Sequence, residues 1–201
     1  MKKLIVAAIL SVLGIVITST NAQALELNVY GGGTFSSVSY NPAPASAPST
    51  KMGMIYGVGV GWSAMPGFGF ETDLLMTKRK FGANAVTDLA AQYLQIPVIF
   101  KATMIPMVTL GAGLYYAKSL SDKLTQTTSG VDTEISFGSL NWNQSDFGWL
   151  LEAGGSFPLA PLLSFKVDLR YYMGFSSIST DTTRSDKWNG LDVLAGLSFG
   201  F

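Results

Sequence analysis

The 201-residue chain contains no cysteine and no histidine. Without cysteine it has neither a disulfide framework nor thiol chemistry. Without histidine it lacks the usual general base, the commonest transition-metal ligand and any Ser-His catalytic arrangement. We therefore expect a protein that is not an enzyme and that binds no metal or cofactor.

Charge and long apolar runs are also scarce. Charged residues make up 13% of the chain, against about 25% in typical soluble domains, and the mean hydropathy is +0.32. Yet no apolar run of about 18 residues follows residue 24, so the sequence predicts no transmembrane helix there. The apolar residues are instead spread by alternation. A chain of strands can span a bilayer only as a closed β-barrel, because an open edge leaves backbone groups unpaired in lipid.

Residues 1–24 have the layout of a secretory signal peptide, with Lys2 and Lys3 before an apolar run and a small-x-small site ending at Ala24. The alternative is a membrane anchor, but the run is short for a span of about 20 residues. We expect cleavage after Ala24, leaving one domain over residues 25–201. That domain keeps 11 of the 13 basic residues against 13 acidic ones, a balance that does not attract nucleic acid.

Eight segments with a two-residue period recur between turn signals, which is typical of strands with one apolar face. Short Pro-bearing connections alternate with longer polar ones, including residues 118–145 and 176–187. This arrangement predicts an eight-stranded antiparallel transmembrane β-barrel with short periplasmic turns and longer extracellular loops. Pro97 removes a ladder donor from the fourth strand and suggests a bulge or kink. The segments are 25–35, 52–62, 68–81, 93–102, 108–117, 146–157, 163–175 and 191–201.

The aromatic residues sort into two predicted girdles, as expected at the two lipid interfaces. The lower girdle contains Trp62, Phe68, Phe100, Phe157, Phe165 and Phe201, and the upper one contains Phe35, Tyr116, Trp149, Tyr171 and Trp188.

Over residues 25–201 the sequence resembles the small eight-stranded outer-membrane barrels of the OmpA-membrane-domain and OmpX type, the porin-like outer-membrane proteins. The resemblance rests on the segments YLQIPVIFK, VTLGAGLYYA, DFGWLLEAGGSF, LRYYMGF and the terminal LAGLSFGF. It implies a location in the Gram-negative outer membrane. It also implies that Leu197, Phe199 and Phe201 form an assembly signal read by the barrel assembly machinery.

Charged residues on the inner face are the main candidates for function. The strand order places Glu152 level with Arg170, Glu71 level with Lys101, and Arg170 near Asp192. Structurally, the pairs fill a lumen that is wide enough only for side chains or one small ligand. Functionally, they could gate a proton or cation path. The predicted lumen charge network contains Glu71, Asp73, Lys101, Glu152, Lys166, Asp168, Arg170 and Asp192, with Glu26 and Asp146 on the same face.

Three further features of the sequence leave alternatives open. The third strand ends in Lys78, Arg79 and Lys80. These residues are either an ordinary solvated strand end or partners of lipid phosphates. Trp142, in the long loop, could recognise a partner or pack back on the rim. Glu71 and Asp73 could also be interpreted as a catalytic carboxylate pair. The signal is weak, because alternation along a strand always places residues two apart on the same face.

The sequence favours a non-enzymatic role in envelope integrity and in surface interaction through the two long loops. The alternative is a narrow channel for ions or small solutes. The expected partners are outer-membrane lipid and lipopolysaccharide, the barrel assembly machinery and an unidentified surface ligand, with the protein as a monomer.

Overall fold

The computed structural model describes residues 25–42, 48–84 and 86–201. The predicted signal peptide, residues 1–24, lies outside them. The described part of the chain forms a single antiparallel sheet of ten strands. The strands are β1 (Leu25–Ser39), β2 (Ser49–Met65), β3 (Phe68–Gly82), β4 (Thr87–Ile105), β5 (Val108–Ser119), β6 (Lys123–Thr128), β7 (Val131–Ser136), β8 (Ser145–Ala160), β9 (Leu163–Gly174) and β10 (Lys187–Gly200).

Eight of these strands close into a ring, which confirms the predicted barrel. Its order is β1, β2, β3, β4, β5, β8, β9 and β10, and β10 pairs back onto β1. The closure runs to the last residue, because Leu25 N donates to Phe201 O at 3.3 Å and Phe201 N donates to Leu25 O at 2.8 Å. The ring strands have 12 to 19 residues, more than the roughly 9–11 that cross a bilayer as a tilted strand.

Strand connections are tight at one end of the barrel, here called the turn end, and long at the other, the loop end. At the turn end β2 stops at Met65 and β3 starts at Phe68, so only two residues connect them. Gly67 there has φ +82°, a left-handed conformation that glycine adopts without a steric penalty. The strands therefore extend further into these turns than the sequence pattern predicts.

The two faces of the ring follow the predicted parity. On β10, Leu191, Val193 and Leu197 are exposed on the outside of the barrel, whereas Asp192 and Leu194 are fully buried inside. The same alternation holds for the other ring strands, as expected where successive side chains point to opposite faces of a sheet. The outer surface is thus a continuous apolar band, and the inner surface carries the polar residues.

The predicted long connection over residues 118–145 is present, but it is largely ordered rather than an irregular loop. It contains the hairpin β6–β7, whose first strand pairs with β4 from Thr87↔Thr128 to Ala90↔Thr125. The hairpin turns at Ser129 and Gly130, both of which have positive φ. β4 therefore leaves β5 near the loop end and continues with β6 as a sheet extension above the ring.

Pro97 causes no register shift. The β3–β4 ladder skips the pairs between Thr72↔Val98 and Leu75↔Gln95 and then resumes in the same register. The Thr72 hydroxyl donates to the Pro97 carbonyl at 3.0 Å, which compensates locally for the missing ladder bonds. The predicted bulge is thus a short gap in the ladder.

None of the helices in the described residues is long and apolar enough to cross a membrane.

Candidate functional site

The barrel interior contains a network of charged side chains centred on Arg170 of β9. Its guanidinium donates to Glu152 at 2.6 Å, to Asp73 at 2.5 Å and to Glu71 at 2.7 Å. Glu152 is its cross-strand partner on β8. Glu71 and Asp73 belong to β3, which lies four strands away on the opposite wall. Arg170 therefore ties the two walls of the barrel together.

Two lysines extend this network toward the turn end. Lys101 Nζ lies 2.7 Å from Glu71 and 2.7 Å from Glu152. Lys166 Nζ lies 3.1 Å from Glu71 and 3.4 Å from Glu26. Glu71 thus accepts from three cations, and such dense pairing lets buried charges persist.

Neutral groups complete the coordination of Glu71. Tyr30 and Asn28 of β1 donate to its carboxylate at 3.0 and 3.1 Å. The Arg170 guanidinium carbon also lies 5.4 Å from the centroid of the Tyr30 ring, within cation–π range. These contacts fix the Glu71 carboxylate inside the lumen.

Two inward glycines make room for the network. A Cβ at Gly59 would collide with the Asp73 carboxylate, and one at Gly154 would collide with that of Asp168. The absence of side chains at these positions lets the carboxylates fold back against the wall.

Asp168 and Asp192 remain at the margin of the network. Asp168 Oδ2 approaches Arg170 only to 3.8 Å and has no hydrogen-bond partner. Asp192 faces Arg170 across the β9–β10 ladder, but the described residues place no basic group within 4.0 Å of it. It lies instead beside Thr34 and Gln95. The predicted proximity of Arg170 and Asp192 is confirmed by this register, but the two side chains do not pair directly, because Arg170 turns toward β3 and β8.

The carboxylates of Glu71, Glu152 and Asp168 offer oxygens within 4.8 Å of one another, a spacing that a metal ion could use. Lys101 Nζ, however, already lies 2.7 Å from two of the three. The ammonium group occupies the position that a cation would take, so these residues do not form a vacant metal site.

A second buried ion pair, which the sequence analysis missed, lies nearer the loop end. Arg79 donates to Asp146 at 2.7 Å and to Gln95 at 2.9 Å, and Tyr115 donates to Asp146 at 2.8 Å. Arg79 is 0% exposed, so the prediction that it forms part of a solvated or lipid-facing strand end is wrong. Parity could have found it, since Arg79 shares the inner face of β3 with Glu71.

Aromatic rings surround the Arg79 guanidinium. The centroids of Tyr93 and Tyr172 lie 4.9 and 4.8 Å from its central carbon, and those of Tyr115 and Trp188 lie 5.5 and 5.6 Å away. Desolvated cation–π contacts of this kind stabilise by about 2 kcal/mol or more. The rings also occupy the cross-section of the lumen at this level.

Above Arg79 the lumen is closed by an apolar plug. Trp188 is 1% exposed and its ring centroid lies 5.5 Å from Phe81 and 6.5 Å from Trp142. Trp188 was predicted to belong to the upper lipid-facing girdle, but even-numbered residues of β10 point inward. Trp142 stacks on Phe81 at 5.7 Å, so it packs back on the rim. The buried members of the plug include Val38, Phe81, Leu89, Tyr93, Leu124, Phe137, Ile178 and Trp188.

The two long loops are joined above the plug. Asn143 N donates to Ile178 O at 2.6 Å, and Thr180 N donates to Asn141 O at 2.7 Å. Trp142 and Ser179 form an isolated β-bridge between the loops. Nearby, partial burial and the charge of Asp186 raise the pKa of Tyr40 to about 12. Residues 118–145 and 176–187 therefore form one connected cap.

At the turn end the lumen is open. A cavity of about 450 Å³ lies there, lined by residues that include Glu26, Lys101, Ser156, Lys166 and Asp168. This vestibule ends at the Arg170 network. Polar side chains thus face water below the network, whereas the lumen above it is packed.

The outer surface carries the aromatic residues at both ends. Near the turn end Phe68 and Phe100 stack at 5.9 Å, and Phe70 and Phe100 lie edge to face at 5.4 Å. Near the loop end Trp149 and Tyr171 lie 5.9 Å apart. The segment predicted as the assembly signal also faces outward, and its members Leu197, Phe199 and Phe201 are all exposed.

A closed ring of eight antiparallel strands with an apolar exterior and a charged interior defines a small transmembrane β-barrel. The family model described as outer membrane protein beta-barrel domain matches residues 21–180, and the chain belongs to this family. It is accordingly an outer-membrane protein. Its short turns are periplasmic and its long loops extracellular, as is typical of these barrels.

Solved structures with similar folds have low sequence identity to the chain. Neisserial surface protein A is 15% identical with a TM-score of 0.48, covering 90% of this chain and 98% of that one. Ail, the attachment invasion locus protein of Yersinia pestis, is 16% identical with a TM-score of 0.46, covering 87% and 98%. OprG from Pseudomonas aeruginosa is 10% identical with a TM-score of 0.46, covering 89% and 95%. Comparison with curated proteins gives no match.

Proposed function

We propose that the protein is a non-enzymatic, non-conducting barrel that supports envelope integrity and presents its extracellular cap for surface interaction. The observation that carries this proposal is the filled lumen. Arg170 bridges the two walls at mid-height, and the Arg79 layer and the aromatic plug pack the space above it. A solute entering the periplasmic vestibule would have to break several buried ion pairs to go further, which is costly.

The extracellular cap supports the second half of the proposal. The hairpin β6–β7 is held to β4 by a ladder, and the two long loops are hydrogen-bonded to each other. Val131 at the tip of the hairpin is 66% exposed, and Val86 of the β3–β4 connection, whose carbonyl accepts from Ser129 N at 3.1 Å, is 61% exposed. The two valines give the ordered cap an exposed apolar surface that a partner can cover. We propose that the cap binds a surface ligand, which is a separate molecule.

For export and assembly the proposal adopts the sequence-based expectations. We propose that the signal peptide directs export, that the barrel assembly machinery reads Leu197, Phe199 and Phe201, and that the barrel works as a monomer surrounded by outer-membrane lipid and lipopolysaccharide. Neither a cofactor nor nucleic acid enters this proposal.

The alternative function is a narrow channel for ions or small solutes. The 450 Å³ vestibule favours it, as do the acidic residues, which outnumber the basic ones among Glu71, Asp73, Glu152, Asp168, Lys101, Lys166 and Arg170. A path would open only if Arg170 left its partners on β3 and β8.

Two measurements test the proposal. Purified protein in planar bilayers should give no steady conductance, and reproducible open pores would favour the channel instead. Cells that carry a variant with residues 123–136 replaced by a short Gly-Ser linker should insert the barrel normally. Cells with the wild type should adhere to at least one member of a panel of immobilised matrix proteins and glycosaminoglycans, and cells with the variant should lose that adhesion. Unchanged adhesion would contradict a role for the hairpin.

A further inference from the structure

Three lysines on the outer surface of the barrel lack the ion pairs that the inward lysines make. Lys78 and Lys80 lie on the outward parity of β3, and Lys118 lies on that of β5. Within the described residues no carboxylate lies within 4.0 Å of any of the three, whereas Lys101 and Lys166 are paired inside the lumen. An amine at a membrane surface without a protein counter-ion is available to an anionic ligand.

The height of these lysines on the barrel matches a lipid headgroup. Lys118 is the next outward residue above Tyr116 of the upper girdle. Lys78 is the next outward residue above Met76, whose cross-strand partner is Tyr56. Tyrosine side chains mark the interface between hydrocarbon and headgroups. The amines therefore lie just on the extracellular side of that interface, where lysine chains can extend along apolar surface toward water.

A groove in the outer surface runs beside Lys78. It has a volume of about 290 Å³ and is bounded by Met54, Tyr56, Met76 and Leu120, with Lys78 and Gln92 also lining it. Leu120 is held over β4 by the hydrogen bond from its N–H to the Gln92 carbonyl at 2.9 Å. The apolar walls suit an acyl chain.

Lysine is distributed unequally between the two ends of the outer surface. Among the described residues, the outward lysines without a salt bridge all lie at the loop end: Lys78, Lys80, Lys118 and Lys187. The outward side chains at the turn end include Trp62, Phe68, Phe100 and Phe157, with no lysine among them. The positive charge thus faces only the extracellular leaflet.

We propose that Lys78, Lys118 and the adjoining groove form a binding site for one phosphorylated lipid of the outer leaflet. Its phosphate pairs with the two amines, and one acyl chain lies along Met54, Tyr56 and Met76. The two lysines are two strands apart, about 10 Å at the usual strand spacing, and they are offset by two residues along β4, where their partners are Gln92 and Leu94. Their long side chains can contact two phosphates or flank one. Ammonium–phosphate pairs are strong because both groups are charged. The groove makes a lipid the occupant, since a free phosphate would use none of its apolar walls.

Native mass spectrometry of the purified barrel with added bis-phosphorylated lipid A tests the proposal. The wild type should retain one lipid, and the double variant Lys78→Gln/Lys118→Gln should bind about tenfold more weakly, as expected from the loss of one or two charge-assisted hydrogen bonds. The matched control is Lys187→Gln, at the same end of the barrel but four strands from β4. It should bind like the wild type. Heat-modifiable migration on gels checks that each variant folds. We expect all of them to fold, because each substitution replaces one outward polar side chain with another.

Comparison of three ligands tests which parts of the lipid the site recognises. Dephosphorylated lipid A should bind much more weakly than lipid A, and inorganic phosphate should leave no adduct. Equal binding of the dephosphorylated lipid would overturn the role of the amines, and tight binding of inorganic phosphate would overturn the role of the groove. Equal losses in the double variant and in Lys187→Gln would show general attraction to the interface and would also overturn the site.

Discussion

At the scale of single residues, the interior is organised by how many partners one cation can reach. Arg170 has a planar fork of donors that contacts three carboxylates at once, whereas Lys101 and Lys166 each contact two. The contact with Glu152 could be predicted from the sequence, because the two residues are neighbours across a short hairpin. The contacts with Glu71 and Asp73 could not, because they cross the lumen.

Replacing Arg170 tests how far the stability of the barrel depends on these three contacts. Arg170→Met removes the charge while retaining much of the volume, and it leaves Glu71, Asp73 and Glu152 short of a counter-ion. We expect the free energy of unfolding to fall by about 3–5 kcal/mol, the usual cost of breaking a buried ion pair from one side. Urea titration of the barrel in detergent micelles, followed by tryptophan fluorescence, measures the loss.

The matched control for that variant is Lys123→Met. Lys123 pairs with Glu134 at 2.9 Å on the exposed hairpin, where the two side chains are 54% and 69% exposed. Solvent screens such pairs, so this variant should unfold like the wild type. An Arg170→Met barrel as stable as the control would show that the surrounding acids do not need the arginine.

At the scale of elements, the ring strands were predictable and the β6–β7 hairpin was not anticipated. A ring strand is revealed by alternation between lipid-facing and lumen-facing residues. The hairpin lies above the membrane, where neither of its faces contacts lipid. Most of its side chains are therefore polar, and the alternation of apolar and polar residues is weak. Its Ser129-Gly130 turn was the available signal. The loop-end residues Leu124 and Phe137 are buried because the hairpin folds back over the plug.

The last strand, β10, carries a prediction about assembly. Phe201 contributes two backbone hydrogen bonds with Leu25 at the end of the closing ladder, and its exposed ring adds little to packing. Deleting Phe201 should therefore reduce insertion in cells far more than it lowers the stability of barrel refolded in detergent. Quantifying folded barrel in outer-membrane fractions, alongside a urea titration, separates the two effects.

Phe175→Ala is the control for the deletion. Phe175 is also an exposed outward aromatic residue, and its ring packs on Phe147 at 5.7 Å near the loop end. It lies outside the predicted assembly signal, so insertion should remain normal. Normal insertion of the truncated chain would contradict the assembly role of Phe201.

At the scale of the whole molecule, the barrel is open to water on one side only. The vestibule admits water from the turn end, and the Arg170 network, the Arg79 layer and the plug close the lumen above it. This asymmetry decides between a filled barrel and a channel, and it arises from inward side chains on opposite walls of the ring.

Single cysteines can map this asymmetry, because the chain contains none. Ser156→Cys places a thiol in the vestibule, and Ser36→Cys places one at a fully buried inward position on β1. A polar maleimide should label the first rapidly in the folded barrel and the second only after unfolding. Electrophoretic mass shift measures both rates. Equal labelling of the two would mean that water passes beyond the Arg170 network.

The sequence by itself determined which residues face lipid and which face the lumen, because side chains alternate strictly along a strand and the barrel has no third environment. It also determined the number of ring strands and the end of the barrel that carries the long loops. Only the tertiary structure decided the partners of Arg170 and Asp192 and the closure of the lumen. These depend on strand stagger and on the reach of side chains across the barrel, and the spacing of residues along the chain specifies neither.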